Sequence, residues 1–515
     1  MPQFLFLPLL FFLFLVDIAL GLSFPITQEA RHQHLTKRGS ELDVINVRDR
    51  FYNVNISLGG ANFTLGLDTG SSDLWVSGLV PNTSIVHKNA SLSYNGGIVS
   101  GWTGTSHSPS SLVTDDVRTG IINTAELRLD NITIQDQAYL NADTVRNPIG
   151  GADGLFGVGP SSISAIQNQF SSKSSTGDTV LSRIFSENTS LENYFSIALS
   201  RSSGAESPGN LLQDDGIGKF TIGEVIPRFE DILKSPQLPV ISDQYGSQHW
   251  ETLLDLNGII GPDGQRINTS TRINKPQGGA QDRLRVTFDT GYTIPQASFE
   301  SSSCIGKNEG ITSAASERGS RCNICWAHWD NFWTIPCDYE LNISFVFAEQ
   351  VFSIAPLDLT QQGLDSDRKL ICAARFQQMN SELIQDQGFG ALDVIFGMAF
   401  LRNVYLLVHV GTFVKGAAQK TPAYIQLLST VDRDIAHTDF VNARLNGTDT
   451  TASQPALLGQ NQTLHSPPIP SSSVPIASAG QPNNGVSEYI PVLPSLTFVI
   501  FLGGFYGIFS LGLLL

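Results

Sequence analysis

Along residues 52–58, Tyr52, Val54, Ile56 and Leu58 alternate with Asn53, Asn55 and Ser57, the two-residue period of a strand with one buried face. Gly59-Gly60 then supplies a turn, and Phe63, Leu65 and Leu67 resume the alternation as far as Asp68. Asn55 falls on the polar side, where a glycan is tolerable. Far downstream, Leu284, Val286 and Phe288 lead into Asp289 in the same way. Between these runs the chain is rich in Gly, Ser, Thr and short β-branched stretches, and long helical periods are few. The pattern predicts an all-β or mainly β chain.

Both alternating runs end in Asp-Thr-Gly, within LGLDTGSSDLWV (65–76) and VTFDTGYTIP (286–295). A second echo follows each: DGLFG at 153–157 and DVIFG at 393–397. Two motifs recurring in one order point to internal duplication, and so to two lobes related by an approximate twofold axis. The expected lobes are residues 39–240 and 241–430. From about 431 the composition shifts towards Ser, Pro, Gly, Asn and Gln, which cannot bury a core, so 431–494 is expected to be an extended stalk.

Both ends are apolar. Residues 1–22 read as a secretory signal without a basic leader, with a membrane anchor as the alternative, and 23–38 as a short propeptide closed by the dibasic Lys37-Arg38. Residues 495–515 carry no charge. A spanning helix normally keeps basic residues on its cytoplasmic side. A polar spacer and small residues such as Ser478-Ala479-Gly480 or Asn484-Gly485 favour a GPI signal over a retained membrane helix. Ten Asn-x-Ser/Thr sequons, at Asn55, Asn62, Asn82, Asn89, Asn131, Asn188, Asn268, Asn342, Asn446 and Asn461, fit export and N-glycosylation. The expected location is the secretory route and the cell surface. The 47 acidic residues outweigh 31 basic ones, for a net charge of −16, which argues against a nucleic-acid partner. Five cysteines lie between 304 and 372 and read as disulfide material, one at least left over. A metal site at Cys322-x-x-Cys325, with Cys304, Cys337 and His328 nearby, is the weaker alternative; no metal or cofactor is expected.

An apolar strand running into Asp-Thr-Gly can turn sharply after the carboxylate, because glycine accepts backbone angles closed to other residues. Two such turns related by a twofold axis set two carboxyl groups face to face. So close together they cannot both ionise, and the pair keeps one proton over a wide acid range. One member can then draw a proton from water while the other polarises a carbonyl, which hydrolyses an amide without metal or covalent intermediate.

With these motifs the sequence resembles the pepsin-like aspartic proteases over about residues 48–430. The resemblance implies a bilobal acid-protease fold with the cleft between its lobes, a monomer, and protein or peptide substrates. Carried over residue by residue, it makes Asp68 and Asp289 the catalytic pair. Thr69 and Thr290 would cross-link the turns, with Gly70 and Gly291 completing them, and Ser71 would orient Asp68. YNGGIVSG (94–101) looks like the flap, with Tyr94 closing over substrate and Trp75 as its indole partner. Leu155-Phe156-Gly157 and Ile395-Phe396-Gly397 look like the segments beneath the turns. Cys337 and Cys372 resemble the family's C-lobe disulfide; Cys304, Cys322 and Cys325 fall in an extra loop.

The sequence departs from the pattern at several places. Tyr292 stands where the family has Ser or Thr beside the second aspartate, with Thr293 the next hydroxyl available to compensate. Asn95 and Gly96 alter the flap, and Met398 replaces a common Asp. The tail and dibasic junction resemble the architecture of yapsin-type fungal enzymes. A catalytically weak or inactive surface glycoprotein that works by binding is the competing class.

Overall fold

The computed structural model describes residues 39–47, 49–94, 116–143, 151–170, 175–201, 218–242, 248–271, 273, 283–297, 328–329, 332–364, 370–379, 392–414 and 421–454. The leader, the propeptide, the flap tip, Cys304, Cys322, Cys325 and everything from 455 onward, including the tail, lie outside these residues.

The opening alternation forms strands Phe51–Leu58 and Ala61–Asp68, paired antiparallel from Asn53 opposite Gly66 to Leu58 opposite Ala61. Gly59 and Gly60 sit at φ 59° and 87°. A two-residue hairpin turn with both angles positive matches the twist of its strands and favours glycine. Val54, Ile56, Leu58, Leu65 and Leu67 enter the core, and Asn55 is exposed as expected. Asn53 does not follow the alternation: it is 2% exposed, because this stretch is covered on both faces.

The duplication is visible in the strand pairing. Ala61–Asp68 runs parallel to Gly154–Gly157, with Asp68 opposite Gly157. Arg285–Phe288 runs parallel to Val394–Phe396, with Phe288 opposite Phe396. In each half the echo strand also pairs antiparallel with the strand after the turn, Leu74–Val76 in one and Gln296–Ala297 in the other. The chain is therefore mainly β and built from two related halves. The halves also share a sheet, since Val404–His409 pairs with Tyr194–Ala198, which pairs with Gly218–Ile222 and through it reaches Ser40–Val47. A sequence boundary near 240 therefore does not separate two closed sheets.

A buried charge cluster ties the halves together. Asp358 accepts from Arg201 and Asn403 at Oδ2 and from Arg402 Nε at 2.7 Å, and the Arg402 guanidinium also donates to the Asp49 carbonyl. Burial pulls the Asp358 carboxyl upward, but Arg201, then Arg402 and Arg375, hold it well below the usual carboxylate range. Its charge therefore survives in acid, which matters because removing one partner from a buried ion pair costs far more than the pair contributes.

The folded chain does not end near 430. Helix Arg433–Arg444 is capped by Asp432, whose Oδ1 accepts from the backbone of Asp434 and Ile435, and it buries Ala436, Phe440 and Val441. These apolar positions at i, i+4 and i+5 form one helical stripe, short enough to be masked by the charged residues between them. Asn446 and Gly447, at φ 52° and 77°, follow the helix. Described structure continues to Gln454, so residues 431–454 are folded and not the extended stalk expected from 431; the rest of that expectation lies outside the described residues.

Candidate active site

Asp68 closes strand Ala61–Asp68, and Asp289 directly follows strand Arg285–Phe288. The parallel echo strands beneath them fix both turns. Val158 N donates to Asp68 O at 2.8 Å, and Asp289 N donates to Phe396 O at 2.9 Å. Beneath the second turn Phe288, Phe345, Phe396 and Phe400 pack with ring centroids 4.1–5.8 Å apart, the spacing of offset and edge-to-face aromatic contacts.

The threonines join the two turns reciprocally. Thr69 N donates to Thr290 Oγ1 and Thr290 N to Thr69 Oγ1, each at 3.0 Å. The hydroxyls then donate onward, Thr69 to Phe288 O at 2.8 Å and Thr290 to Leu67 O at 2.7 Å. Each hydroxyl thus both accepts from and donates to the facing turn, the full use of a group that can do both. With both threonines at most 1% exposed, water cannot replace these bonds.

The grip brings the carboxyl groups together. Asp68 and Asp289 are 8% and 3% exposed, and the Asp289 carboxyl is hydrogen-bonded to that of Asp68. Gly70 N donates to Asp68 Oδ1 at 2.8 Å, Ser71 Oγ to Asp68 Oδ2 at 2.5 Å, and Gly291 N to Asp289 Oδ1 at 2.7 Å. A Cβ on Gly70 would lie 2.1 Å from Asp289 Oδ2, and one on Gly291 would lie 2.7 Å from Asp68 Oδ1. Each glycine is therefore needed for the space it leaves to the facing carboxyl. Burial first, and then the neighbouring charge of Asp68, push the Asp289 carboxyl well above the usual carboxylate range. This pocket can hold one proton between two carboxyl groups.

The departures also find places. Tyr292 is 2% exposed, and its carbonyl accepts from Met398 N at 2.8 Å. The Thr293 hydroxyl donates to Arg50 O at 2.6 Å, so it is directed to the other half and does not compensate at Asp289. Met398 is buried in the short helix Met398–Leu401. Trp75 is buried against Ile122, Ala138, Leu140 and Ile166. Tyr94 ends strand Ser84–Tyr94 opposite Asp116, at the base of the hairpin expected to form the flap. Its side chain and residues 95–101 lie outside the described set, as does any bond from Tyr94 to Trp75.

Two supporting residues escaped the sequence reading. Trp250, fully buried, donates from Nε1 to Val158 O at 2.9 Å and so braces the segment beneath Asp68. The Asp73 carboxylate accepts from Ser164 Oγ at 2.5 Å and Ala165 N at 2.7 Å, fixing the turn that carries Ile166 against Trp75. Asp73 lies in the quoted SSDLWV segment, so a signal was present; Trp250 has no local signature.

Cys337 and Cys372 are joined by a disulfide, with Cα atoms 5.1 Å apart. Cys322 and Cys325, the basis of the metal alternative, lie outside the described residues, within which no cluster of His, Cys, Asp or Glu is arranged to hold a metal. Asn55, Asn62, Asn82, Asn131, Asn268, Asn342 and Asn446 are exposed and Asn188 is half-buried; the side chains of Asn89 and Asn461 are outside the described set. No helix among the described residues is long and apolar enough to cross a membrane.

Residues 51–212 match the family model of the eukaryotic aspartyl proteases. Among solved structures the chain is similar to the crystal structure of aspartic proteinase from Irpex lacteus, with a TM-score of 0.48 and 16% identity over 76% of this chain and 97% of that one. No curated protein matches the sequence.

Proposed function

We propose that the chain is an aspartic endopeptidase of the eukaryotic aspartyl protease family, with Asp68 and Asp289 as its catalytic pair. The observation that carries this reading is the joined pair of turns, in which crossed threonines bring two buried carboxyl groups together, with burial and the charge of Asp68 raising the proton affinity of Asp289. The family match to residues 51–212 supports it for the first turn, and the same pairing around Asp289 extends it to the second.

In this mechanism Asp68, ionised, takes a proton from a water molecule whose oxygen attacks the peptide carbonyl carbon. Asp289 gives its proton to the carbonyl oxygen. Collapse of the tetrahedral adduct breaks the C–N bond: the proton held by Asp68 passes to the leaving nitrogen, and one hydroxyl of the adduct returns a proton to Asp289 as the new carboxyl group forms, which restores the starting pair. Gly70 N and Ser71 Oγ hold the Asp68 carboxyl in place by hydrogen bonds. Activity is expected in acid, where the pair keeps its single proton.

The proposed setting is extracellular. Residues 1–22 would be removed as a signal and 23–38 as a propeptide, with lobes from 39 to about 240 and from there to 454. A glycosylated stalk would follow, with 495–515 as a GPI signal. The test is hydrolysis of a denatured protein substrate across pH by the mature protein beside its Asp68→Asn variant. Acid hydrolysis lost in the variant supports the proposal; a neutral optimum, or inhibition by chelators, overturns it.

A further inference from the structure

The buried carboxylate of Glu340 is gripped by the chain that follows the second half, at a place remote in sequence from both aspartate turns. His437 Nδ1, on helix Arg433–Arg444, lies 2.9 Å from Glu340 Oε1 and 3.1 Å from Oε2. The other ring nitrogen lies 3.4 Å from Asp449 Oδ2, beyond the end of the helix. The backbone of Glu340 is clipped as well: its N–H donates to Gln454 Oε1 at 3.0 Å, and its carbonyl accepts from Gln454 Nε2 at 3.2 Å. Residues 437–454 therefore close around one acidic residue from three directions.

A neutral imidazole donates from one nitrogen only, whereas the imidazolium donates from both. Two carboxylates facing the two nitrogens of one ring fit the charged form. Glu340 has 7% of its side chain exposed, so it needs a cation to offset burial, while His437 at 37% remains open to proton exchange. A cavity of about 340 Å³ between the helix and strands Ile343–Phe347 and Gln350–Ile354, lined by Glu340, Ser344, Ser353, Arg433 and His437, brings solvent to the ring. The other charged groups around it are Asp434 on its own helix, also at the cavity, and Arg444, which is directed to the Cys372 sulfur.

We propose that Glu340, His437 and Gln454 form a pH-sensitive latch. It docks helix Arg433–Arg444 and the segment after it as far as Gln454 onto the protein body in acid, and loosens that attachment as the pH rises. The latch goes beyond the proteolytic reading and does not depend on it. The sign follows from the histidine. Its bond to Glu340, ahead of the opposing effect of burial, raises the His437 proton affinity above the ordinary value. Docking gained from that proton is complete below the ordinary histidine range and is lost as pH climbs through the raised one. Asp449 is held below the usual carboxylate range, by the Thr451 hydroxyl first and by His437 only after that, so its charge persists through moderate acid. The remaining attachment, through Ala436, Phe440 and Val441, does not titrate.

The test is amide hydrogen exchange on the full chain at pH 5.5 and pH 8.5, comparing the parent with His437→Gln at each pH so that the intrinsic chemistry of exchange cancels. Helix 433–444 should exchange about fivefold faster in the variant at pH 5.5, the effect of one partly exposed ion pair, and equally fast at pH 8.5, with the rest of the chain unchanged. An equal gap at both values, or none at either, overturns the latch. As a second readout, the ring titration of His437 followed by NMR should fall back towards the ordinary histidine range in Glu340→Gln; an unmoved midpoint overturns the pairing.

Discussion

The two Asp-Thr-Gly turns are alike in backbone and unlike in what surrounds their carboxyl groups. Each rests on a parallel echo strand, donates a glycine N–H to its own aspartate, and lends a threonine to the other. At the fourth position they diverge. Ser71 gives its hydroxyl to Asp68, whereas Tyr292 is a buried ring whose carbonyl holds the segment after the echo strand. Their bracing differs too, with Trp250 bonded beneath the first turn and a cluster of phenylalanines beneath the second. Symmetry therefore supplies the approach of the two acids, and the fourth residue and the packing beneath set the two turns apart. Burial, and then the neighbouring charge of Asp68, raise the proton affinity of Asp289.

The hardest test of this division is removal of each acid. Asp68→Asn and Asp289→Asn should each lower turnover by about 10²–10⁴-fold, the range supplied by general acid–base groups, while folding persists. An amide keeps the size of the side chain but neither takes nor gives the proton. Near-parental activity in either variant would remove that residue from the pair.

The symmetric part of the comparison is tested by stability. Thr69→Val leaves Thr290 N and Phe288 O without their partner, and Thr290→Val leaves Thr69 N and Leu67 O. Each stranded buried group costs about 1–3 kcal/mol, so both variants should unfold at lower denaturant by similar amounts. A large difference between the two would mean that the grip is reciprocal in geometry only.

Much of this site was legible because its signals are local. Alternation placed the strands, the repeated tripeptide placed the turns, the glycine echoes pointed to duplication, and the family resemblance put the echo strands beneath the turns. What stayed hidden depends on distant partners. Trp250 reaches Val158 across 92 residues and Thr293 reaches Arg50 across 243, and neither leaves a period in the sequence. Asn53 defeated the alternation because burial on the second face is set by chain elsewhere. Helix Arg433–Arg444 was missed because its three buried apolar residues, set among polar and charged ones, are a thin stripe, and its attachment runs through Glu340, 97 residues from His437.

The pH dependence of stability separates the turns more finely. A carboxyl whose proton affinity is raised on folding contributes stability that is complete below the unfolded carboxylate range and is lost as pH rises through its folded value. Asp289, raised by burial and by Asp68, should therefore make the protein progressively less stable from mild acid towards neutrality. Asp289→Asn removes that loss. Its melting temperature relative to the parent should be higher at pH 7 than at pH 4, as measured by calorimetry. A difference that does not grow with pH would contradict a protonated Asp289.

The smallest expected effect is the most specific to the asymmetry. Tyr292→Ser places at the second turn the hydroxyl that the first turn already has. A hydroxyl donating to Asp289 stabilises its ionised form and lowers its proton affinity, so the alkaline limb of the activity profile should move to lower pH. The volume left by the tyrosine ring costs stability in Tyr292→Ser, and so the position of the limb, not the height of the profile, is the measurement. An unmoved alkaline limb in a folded Tyr292→Ser protein would mean that the fourth residue does not set the protonation of Asp289, and that burial and Asp68 alone do.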